Sequence, residues 1–312
     1  MNKILILFIF SQIAFAQKTI VKTSLHFSGK INKYPIEMTI EFIQGQDSVS
    51  GSYYYLKNSK DMPIFTKGTY KAGQIKLEET TYTAAKKGNV PAKTGSFVLQ
   101  LDNEHKLSGI WQNVKKDKKF DATLTCLEDL SVFNPKNYTY KLNPHKGKAE
   151  NMNGELADNF LISKLDIFNA KKEKVQTLSG FNKAIYEKDA AVELEDLNFD
   201  GLLDIKIPIY FPDRIKYDGG FLYFVYDKTK KQFIRNTKLE ELEYLHFDQR
   251  NKEFIKYEAD GNGNETDSYY KWSNNNFYLI KKVESFEDSD KTTYTEYEIK
   301  NNKSVKVKQY QK

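Results

Sequence analysis

The residues with the clearest chemical potential in this sequence form an acidic loop in its second half, residues 196–204. Oxygen ligands recur there at every second position, and a glycine, Gly201, stands at the sixth. Ca²⁺ takes hard oxygen ligands at about 2.3–2.6 Å in loops that turn sharply at that position. The predicted calcium ligands are the side chains of Asp196, Asn198, Asp200 and Asp204 and the backbone carbonyl of Leu202.

The flanks of this loop set its structural context. Residues 191–195 and 205–211 alternate apolar and polar side chains, which is the period of half-buried strands. An EF-hand would carry a bidentate Glu at the twelfth position, where this chain has Ile207. The sequence therefore predicts a calcium loop between two strands. The alternative is a metal-free turn, because Asp, Asn and Gly also favour ordinary turns.

A second acidic segment, Asp260–Asp267, also carries side-chain oxygens at its first, third and fifth positions. Its sixth position is Glu265, where a calcium loop needs glycine. We interpret the segment first as a hairpin turn and second as a further calcium site.

The chain that positions these loops is predicted to be all-β. Residues 17–129 contain short alternating segments bounded by glycine-rich turns, which favours a small antiparallel barrel or sandwich. Residues 130–154 are rich in Pro, Asn, Lys and Gly and are predicted to be a linker and edge segment. Residues 155–312 are predicted to form a second antiparallel meander domain that contains the calcium loop.

Residues 1–16 have the pattern of a cleavable signal peptide. Lys3 precedes a short apolar run that ends in a small-x-small site at Ala14 and Ala16. The run is too short to span a membrane, which needs about 20 apolar residues. We therefore expect an exported, periplasmic or extracellular protein without a transmembrane segment. Cys126 is the single cysteine, so an internal disulfide is excluded.

The composition excludes several classes of function. The formal net charge is +6, and the lysines are interspersed with acidic residues instead of forming the basic patch that nucleic-acid binding needs. Four histidines lie far apart without metal-ligand spacing, and neither a nucleophile elbow nor a phosphate loop is present. We expect no catalytic residues and a monomeric, non-enzymatic protein. Paired carboxylates such as Glu240 and Glu241 leave a glycosidase as the least favoured alternative.

The C-terminal half resembles a family of bacterial periplasmic β proteins with one calcium loop, which act as lysozyme inhibitors or as immunity proteins of secretion systems. The resemblance rests on four stretches: Asp196–Asp204, Asp218–Gly220, Phe221–Asp227 and the pair 269–274 and 277–280. It implies a β domain in which calcium stiffens a strand junction and a projecting loop enters the cleft of a peptidoglycan hydrolase. The N-terminal half loosely resembles small secreted β-barrels, through the phrases 51–55 and 108–111.

The best match to the projecting loop is the segment 211–220, which follows the strand that leaves the calcium loop. It carries Arg214 and Tyr217, and Arg and Tyr are the residue types that most often anchor protein interfaces. We predict these two residues to bind the partner; the alternative is a solvated hairpin tip.

Two functions therefore stand as hypotheses. The first is a calcium-binding inhibitor of a lysozyme-like or other cell-wall hydrolase. The second is a carbohydrate- or envelope-binding accessory protein that uses the aromatic side chains of Tyr53, Tyr55 and Trp111, which this hypothesis expects to be exposed.

Overall fold

The computed structural model describes residues 19–57, 63–85, 88–102, 105–186, 190–215, 218–273, 276–288 and 291–312. Strands dominate these residues, as predicted, and the fold class is confirmed. The predicted signal peptide lies outside the described residues. Among the described residues no helix is long and apolar enough to cross a membrane.

The N-terminal strands close into an antiparallel barrel. Each strand pairs with the next, and β8 returns to pair with β1 through the register Phe27↔Cys126 to Ile31↔Ala122. The strands are β1 (Ile20–Ile31), β2 (Tyr34–Ile43), β3 (Ser48–Tyr55), β4 (Ile64–Lys71), β5 (Gln74–Ala85), β6 (Gly88–Leu101), β7 (Lys106–Asn113) and β8 (Lys119–Cys126). Of the two predicted architectures, barrel and sandwich, the structure is the barrel.

The barrel is filled by side chains that alternate along each strand. In β2, Ile36, Met38 and Ile40 are fully buried, and each faces the interior. Burying an aliphatic side chain of this size contributes about 1.5–3 kcal/mol. Gly68 of β4 leaves no room for a side chain, because a Cβ there would overlap the carbonyl oxygen of Lys76 in β5.

The rest of the chain extends the barrel sheet and adds two separate sheets, one of three strands and one of six. After a 3₁₀ turn at Pro135–Asn137, the strands are β9 (Tyr138–Leu142), β10 (His145–Glu150), β11 (Leu156–Ile162), β12 (Leu165–Asn169), β13 (Lys174–Leu178), β14 (Lys183–Ile185), β15 (Ala191–Glu195), β16 (Asp204–Tyr210), β17 (Gly219–Asp227) and β18 (Gln232–Arg235). The short helix α1 (Thr237–Glu240) precedes β19 (Leu245–Asp248), β20 (Glu253–Ala259), β21 (Asn264–Ser273), β22 (Asn276–Asp288), β23 (Lys291–Lys300) and β24 (Lys303–Gln311). Strands β19 to β24 form a sequential antiparallel meander, whereas β9, β12 and β13 form a separate three-stranded sheet.

Strand β1 belongs to both halves of the chain. Residues 27–31 pair with β8 inside the barrel, while residues 20–23 pair with β15 through the register Ile20↔Ala191 to Thr23↔Leu194. This ladder is parallel, unlike the antiparallel pairing that the sequence predicted for both halves. The barrel sheet therefore continues into β15 and β16, the strands that flank the acidic loop.

The segment 130–154, predicted as a linker and edge segment, contributes strands β9 and β10. Tyr140 and Leu142 of β9 are buried in the main hydrophobic core. A second core lies under the acidic loop and the β19–β20 hairpin; its buried members are Leu197, Phe199, Phe221, Tyr223, Leu239, Leu245, Phe247 and Phe254.

Candidate functional site

The acidic loop joins β15 to β16, the position predicted from the sequence. Its backbone turns at two residues with positive φ, Phe199 at 62° and Gly201 at 83°. The left-handed conformation is costly for most side chains but not for glycine, which accounts for Gly201 at the sixth position. Leu197 is fully buried in the second core and anchors the loop from below.

The two carboxylates at the ends of the loop are buried. Asp204 is completely inaccessible, and its two oxygens accept the backbone N–H groups of Leu197 at 2.9 Å and Tyr226 at 2.7 Å. Asp196 is 4% exposed and accepts the backbone N–H groups of Asp200 at 3.2 Å and Gly201 at 2.8 Å. Both side chains therefore fix the course of the backbone.

The central residues of the loop are bonded to one another. Asn198 Oδ1 accepts the N–H of Asp200 at 3.1 Å, and Asp200 Oδ1 accepts the N–H of Leu202 at 2.9 Å. Asn198 Nδ2 donates to Asp200 Oδ2 at 3.1 Å. The structure thus brings the predicted side chains together in one compact loop.

The surroundings of the loop disfavour the ionised form of its two buried carboxylates. Burial, followed by the charges of Asp200 and Glu128, raises the pKa of Asp196 to about 7. Burial also raises the pKa of Asp204 well above its usual value, and Asp196 and Asp200 add to the shift. Ion pairs of the described residues around the loop involve Glu128, Glu193 and Glu195, but none involves these three aspartates.

In this arrangement the described residues include no group of three or more His, Cys, Asp or Glu side chains placed to hold a metal ion. The carboxylates are turned toward backbone N–H groups instead. Each ionised carboxylate has about four lone-pair sites, so an oxygen that accepts one N–H retains acceptor capacity. The calcium site stays a prediction.

A buried polar network connects the barrel to this loop. His26 of β1 lies with Nδ1 2.6 Å from Glu128 Oε1, and Cys126 Sγ donates to Glu128 Oε2 at 3.1 Å. On the other side, His26 Nε2 lies 3.9 Å from Glu195, which pairs with Lys206 at 2.6 Å. Sequence reasoning missed Glu128 and Glu195, because their charged partners, His26 and Lys206, lie 102 and 11 residues away in the chain.

The titration of this network argues against a nucleophilic thiol. Burial raises the pKa of the Cys126 thiol far above its usual range, and the charge of Glu128 raises it further. Burial alone would lower the pKa of His26, but the Glu128 hydrogen bond and the charges of Glu128, Glu195 and Asp196 more than offset this effect. Its pKa therefore lies above 6.5.

The hairpin tip between β16 and β17 holds the predicted partner residue Arg214. Its guanidinium donates to Glu243 Oε1 at 2.7 Å and lies 4.1 Å from the centroid of the Phe211 ring. Phe211 N–H donates to the Asp218 carbonyl at 2.6 Å and closes the tip. Arg214 is thus held by two contacts in one orientation. The other predicted residue, Tyr217, lies outside the described residues.

The tip is surrounded by exposed apolar side chains that the sequence analysis did not select. Ile215 is 82% exposed, Tyr244 is 60% exposed and Tyr186 is 59% exposed. Tyr186 donates to Asp218 Oδ1 at 2.7 Å, and its ring lies 4.5 Å from that of Tyr210. These residues come from separate segments of the chain, so no local pattern could have grouped them. We call Tyr186, Arg214, Ile215 and Tyr244 the tip surface.

The structure also tests two other predictions, the hairpin turn at Asp260 and the exposure of Tyr53. Asp260 sits in the β20–β21 turn, where its carboxylate accepts the N–H groups of Asn262 at 2.6 Å and Asn264 at 3.2 Å, so the hairpin-turn interpretation is confirmed. The expectation that Tyr53 is exposed is wrong. It is 1% exposed, because residue 53 faces the barrel interior, where it packs on Phe97.

No protein-family model and no curated protein sequence matches this chain. Among solved structures, a Xanthomonas protein related to a type IV secretion system is similar at 12% identity and a TM-score of 0.43, covering 67% of this chain and 96% of its own. A Lactobacillus plantarum protein has 7% identity, a TM-score of 0.25 and coverage of 92% of this chain and 96% of its own. A Bacteroides uniformis protein, provisionally described as a 6-phosphogluconolactonase, has 9% identity, a TM-score of 0.23 and coverage of 91% and 95%. At these values the likeness carries no argument about function.

Proposed function

We propose that this chain is an exported, non-catalytic calcium-binding protein whose tip surface binds and inhibits a peptidoglycan-targeting hydrolase. The observation that carries the proposal is the tip surface itself, which gathers an arginine, two tyrosines and an isoleucine from three segments of the chain around the β16–β17 tip. Arg and Tyr are enriched among the residues that dominate binding energy, and such residues work best when held rigidly in advance.

Calcium binding is supported by the burial of the loop carboxylates without a cationic partner among the described residues. Burying an ionised carboxylate is costly unless it is paired or coordinates a metal. The five predicted ligands lie within one nine-residue loop, and Ca²⁺ prefers oxygen ligands of these types.

The calcium loop and the tip surface are joined by a short, stiff connection. Asp204 is both the last predicted ligand and the first residue of β16, and β16 ends at Tyr210, next to the tip. The β16–β17 ladder is continuous from Ile205↔Phe224 to Tyr210↔Gly219. Holding the loop therefore limits the motion of the strand that carries the tip surface.

The hydrolase class of the partner comes from the resemblance of the C-terminal half to lysozyme inhibitors and immunity proteins. Glycoside hydrolases commonly place two carboxylic groups in their cleft. Arg214 is paired with Glu243 in the free protein and could exchange that carboxylate for one of the hydrolase. Export is supported by the signal-peptide pattern of residues 1–16.

The proposal is tested by the lysis of purified peptidoglycan by a lysozyme-type hydrolase, with and without the protein. Ile215→Ala is the sharpest variant, because a side chain that is 82% exposed contributes little to the folded chain but much to an interface. Its loss should weaken inhibition by about 10- to 100-fold, since burying such a side chain contributes about 1.5–3 kcal/mol. Leu156→Ala is the matched control, because Leu156 is 69% exposed on β11 and lies outside the tip surface.

Arg214→Ala should also weaken inhibition, and both effects should appear as faster dissociation in a binding assay. If Ile215→Ala and Arg214→Ala inhibit as well as the unchanged protein, the tip surface is not the inhibitory site. If the unchanged protein fails to bind a panel of peptidoglycan hydrolases, the hydrolase class is wrong.

A further inference from the structure

A second surface feature lies at the end of the barrel remote from β15. Four aromatic rings from the ends of four strands line an open cleft of about 340 Å³: Tyr34 of β2, Tyr55 of β3, Trp111 of β7 and Phe120 of β8. This volume is within the range of about 300–1,000 Å³ that is typical of ligand clefts, which often occupy the mouths of β-barrels. Tyr34 is 41% exposed, so the cleft is accessible from solvent.

The ring of Trp111 is fixed in position by a buried carboxylate. Glu79 is only 3% exposed, and its Oε2 accepts both the indole N–H of Trp111 at 2.8 Å and the hydroxyl of Tyr53 at 2.5 Å. Phe120 stacks on Trp111 with 5.7 Å between ring centroids and 6° between ring planes. Packing alone could fill the end of a barrel with aliphatic side chains at a lower desolvation cost than a carboxylate.

Placing a buried acid behind an indole is the arrangement expected when the orientation of that ring matters, because binding surfaces need support from a second layer of contacts. The indole N–H is committed to Glu79, so the part of the Trp111 ring that lines the cleft offers carbon atoms and no hydrogen-bond donor. Positive charge stands at the rim: Lys57 lines the cleft, and Lys33 Nζ lies 5.6 Å from the centroid of Tyr34.

From this geometry we propose that the barrel cleft binds an acidic saccharide. The apolar C–H face of a sugar ring packs on the carbon atoms of the fixed Trp111 ring, and the carboxylate of the sugar lies toward Lys57 and Lys33. Aromatic faces supply contact area at low cost in conformational entropy, and the lysines favour an anionic ligand over a neutral one. Glu79 and Tyr53 act as positioning residues. This site is independent of the tip surface and of the calcium loop.

The proposal is tested with the full chain carrying Trp272→Phe, which leaves Trp111 as the one remaining tryptophan of the two in the sequence. The probes are acidic oligosaccharides, namely oligogalacturonate, oligoalginate and glycan fragments with muramic acid, each paired with its neutral methyl ester. We expect at least one acid to change Trp111 fluorescence saturably and its ester to bind about tenfold more weakly. Isothermal titration of the unchanged protein should give the same order of affinities.

Two variants make the test specific. Lys33→Glu with Lys57→Glu changes only side chains at the rim and should lower affinity for the acid by about tenfold or more. Trp111→Ala, followed by calorimetry, should lower it by about five- to tenfold. Tyr278→Ala is the control, because Tyr278 is 52% exposed on β22, far along the chain from the cleft. Equal binding of acids and esters, no binding of any acid, or full affinity in the lysine variant would each overturn the proposal.

Discussion

Replacing Asp200 by Ala distinguishes the stability that the acidic loop gains from bound calcium from the stability that it gains from its own hydrogen bonds. Asp200 is the one exposed aspartate of the three in the loop. Its carboxylate accepts hydrogen bonds from the backbone N–H of Leu202 and from the side-chain amide of Asn198. Its removal costs about 0.5–1.5 kcal/mol per lost hydrogen bond at most. Replacing Asp204 instead would leave two buried N–H groups without their acceptor.

The size of the calcium effect follows from mass action. With dissociation constants of about 10⁻⁴–10⁻³ M, the range of extracellular calcium modules, 10 mM Ca²⁺ stabilises the folded chain by about 1.4–2.7 kcal/mol. At about 2–4 °C per kcal/mol for a chain of this size, the melting temperature rises by about 3–10 °C. Asp200→Ala should lose most of this rise.

The assay is thermal unfolding in Ca²⁺, in Mg²⁺ at the same ionic strength, and in a chelator. Asp260→Ala is the matched control, because Asp260 accepts two backbone N–H groups in a similar acidic turn of the β20–β21 hairpin. It should retain the full calcium shift. A chain whose melting temperature is the same in Ca²⁺ and in chelator, or a full shift in Asp200→Ala, would refute the assignment of this loop as the site.

Three further predictions concern stability. The pKa of His26 is raised in the folded chain by Glu128, Glu195 and Asp196. The protonated side chain therefore adds to the free energy of unfolding below pH 6.5, and this stabilisation is lost as the pH rises through the folded pKa. His26→Gln should flatten the pH dependence of urea unfolding above pH 6.5, and an unchanged slope would contradict this. Gly68→Ala should lower the free energy of unfolding in urea by about 1–3 kcal/mol or more, because its Cβ overlaps the Lys76 carbonyl oxygen. Thr69→Ala, at an exposed position of the same strand, should change it by no more than about 0.5 kcal/mol. Equal losses in the two variants would show that the strands can separate at Gly68. Phe254→Ala should cost about 3–5 kcal/mol in the same measurement, and a cost as small as that of a surface substitution would mean that the second core repacks around the loss.

The alternation of side chains and the clustering of turn residues are local features of the sequence, and they predicted individual strands and the acidic loop. Period-two alternation over 205–211 identified β16, which the structure has as Asp204–Tyr210, because each inward side chain of a half-buried strand must be apolar. The acidic loop was placed correctly because turn residues cluster where a ladder ends.

Contacts between segments that are distant in the sequence could not be predicted from local patterns. Val21 pairs with Val192 in the parallel ladder, and nothing near either residue specifies the other. Residues 53–55 are three consecutive tyrosines that point to alternate faces of β3, and barrel closure, which no local pattern specifies, decides that Tyr53 is on the inner face. The tip surface likewise assembles from segments that meet only after β16 and β17 pair.

The dual pairing of β1 has a consequence for anyone who divides this chain. A fragment that ends after the barrel would leave residues 20–23 with a row of unsatisfied amide and carbonyl groups, since their ladder partner lies at 191–194. Open edges of this kind recruit strands from other molecules. Such a fragment should self-associate at micromolar concentration, and a synthetic peptide with the sequence of residues 190–196 should restore it to a monodisperse state.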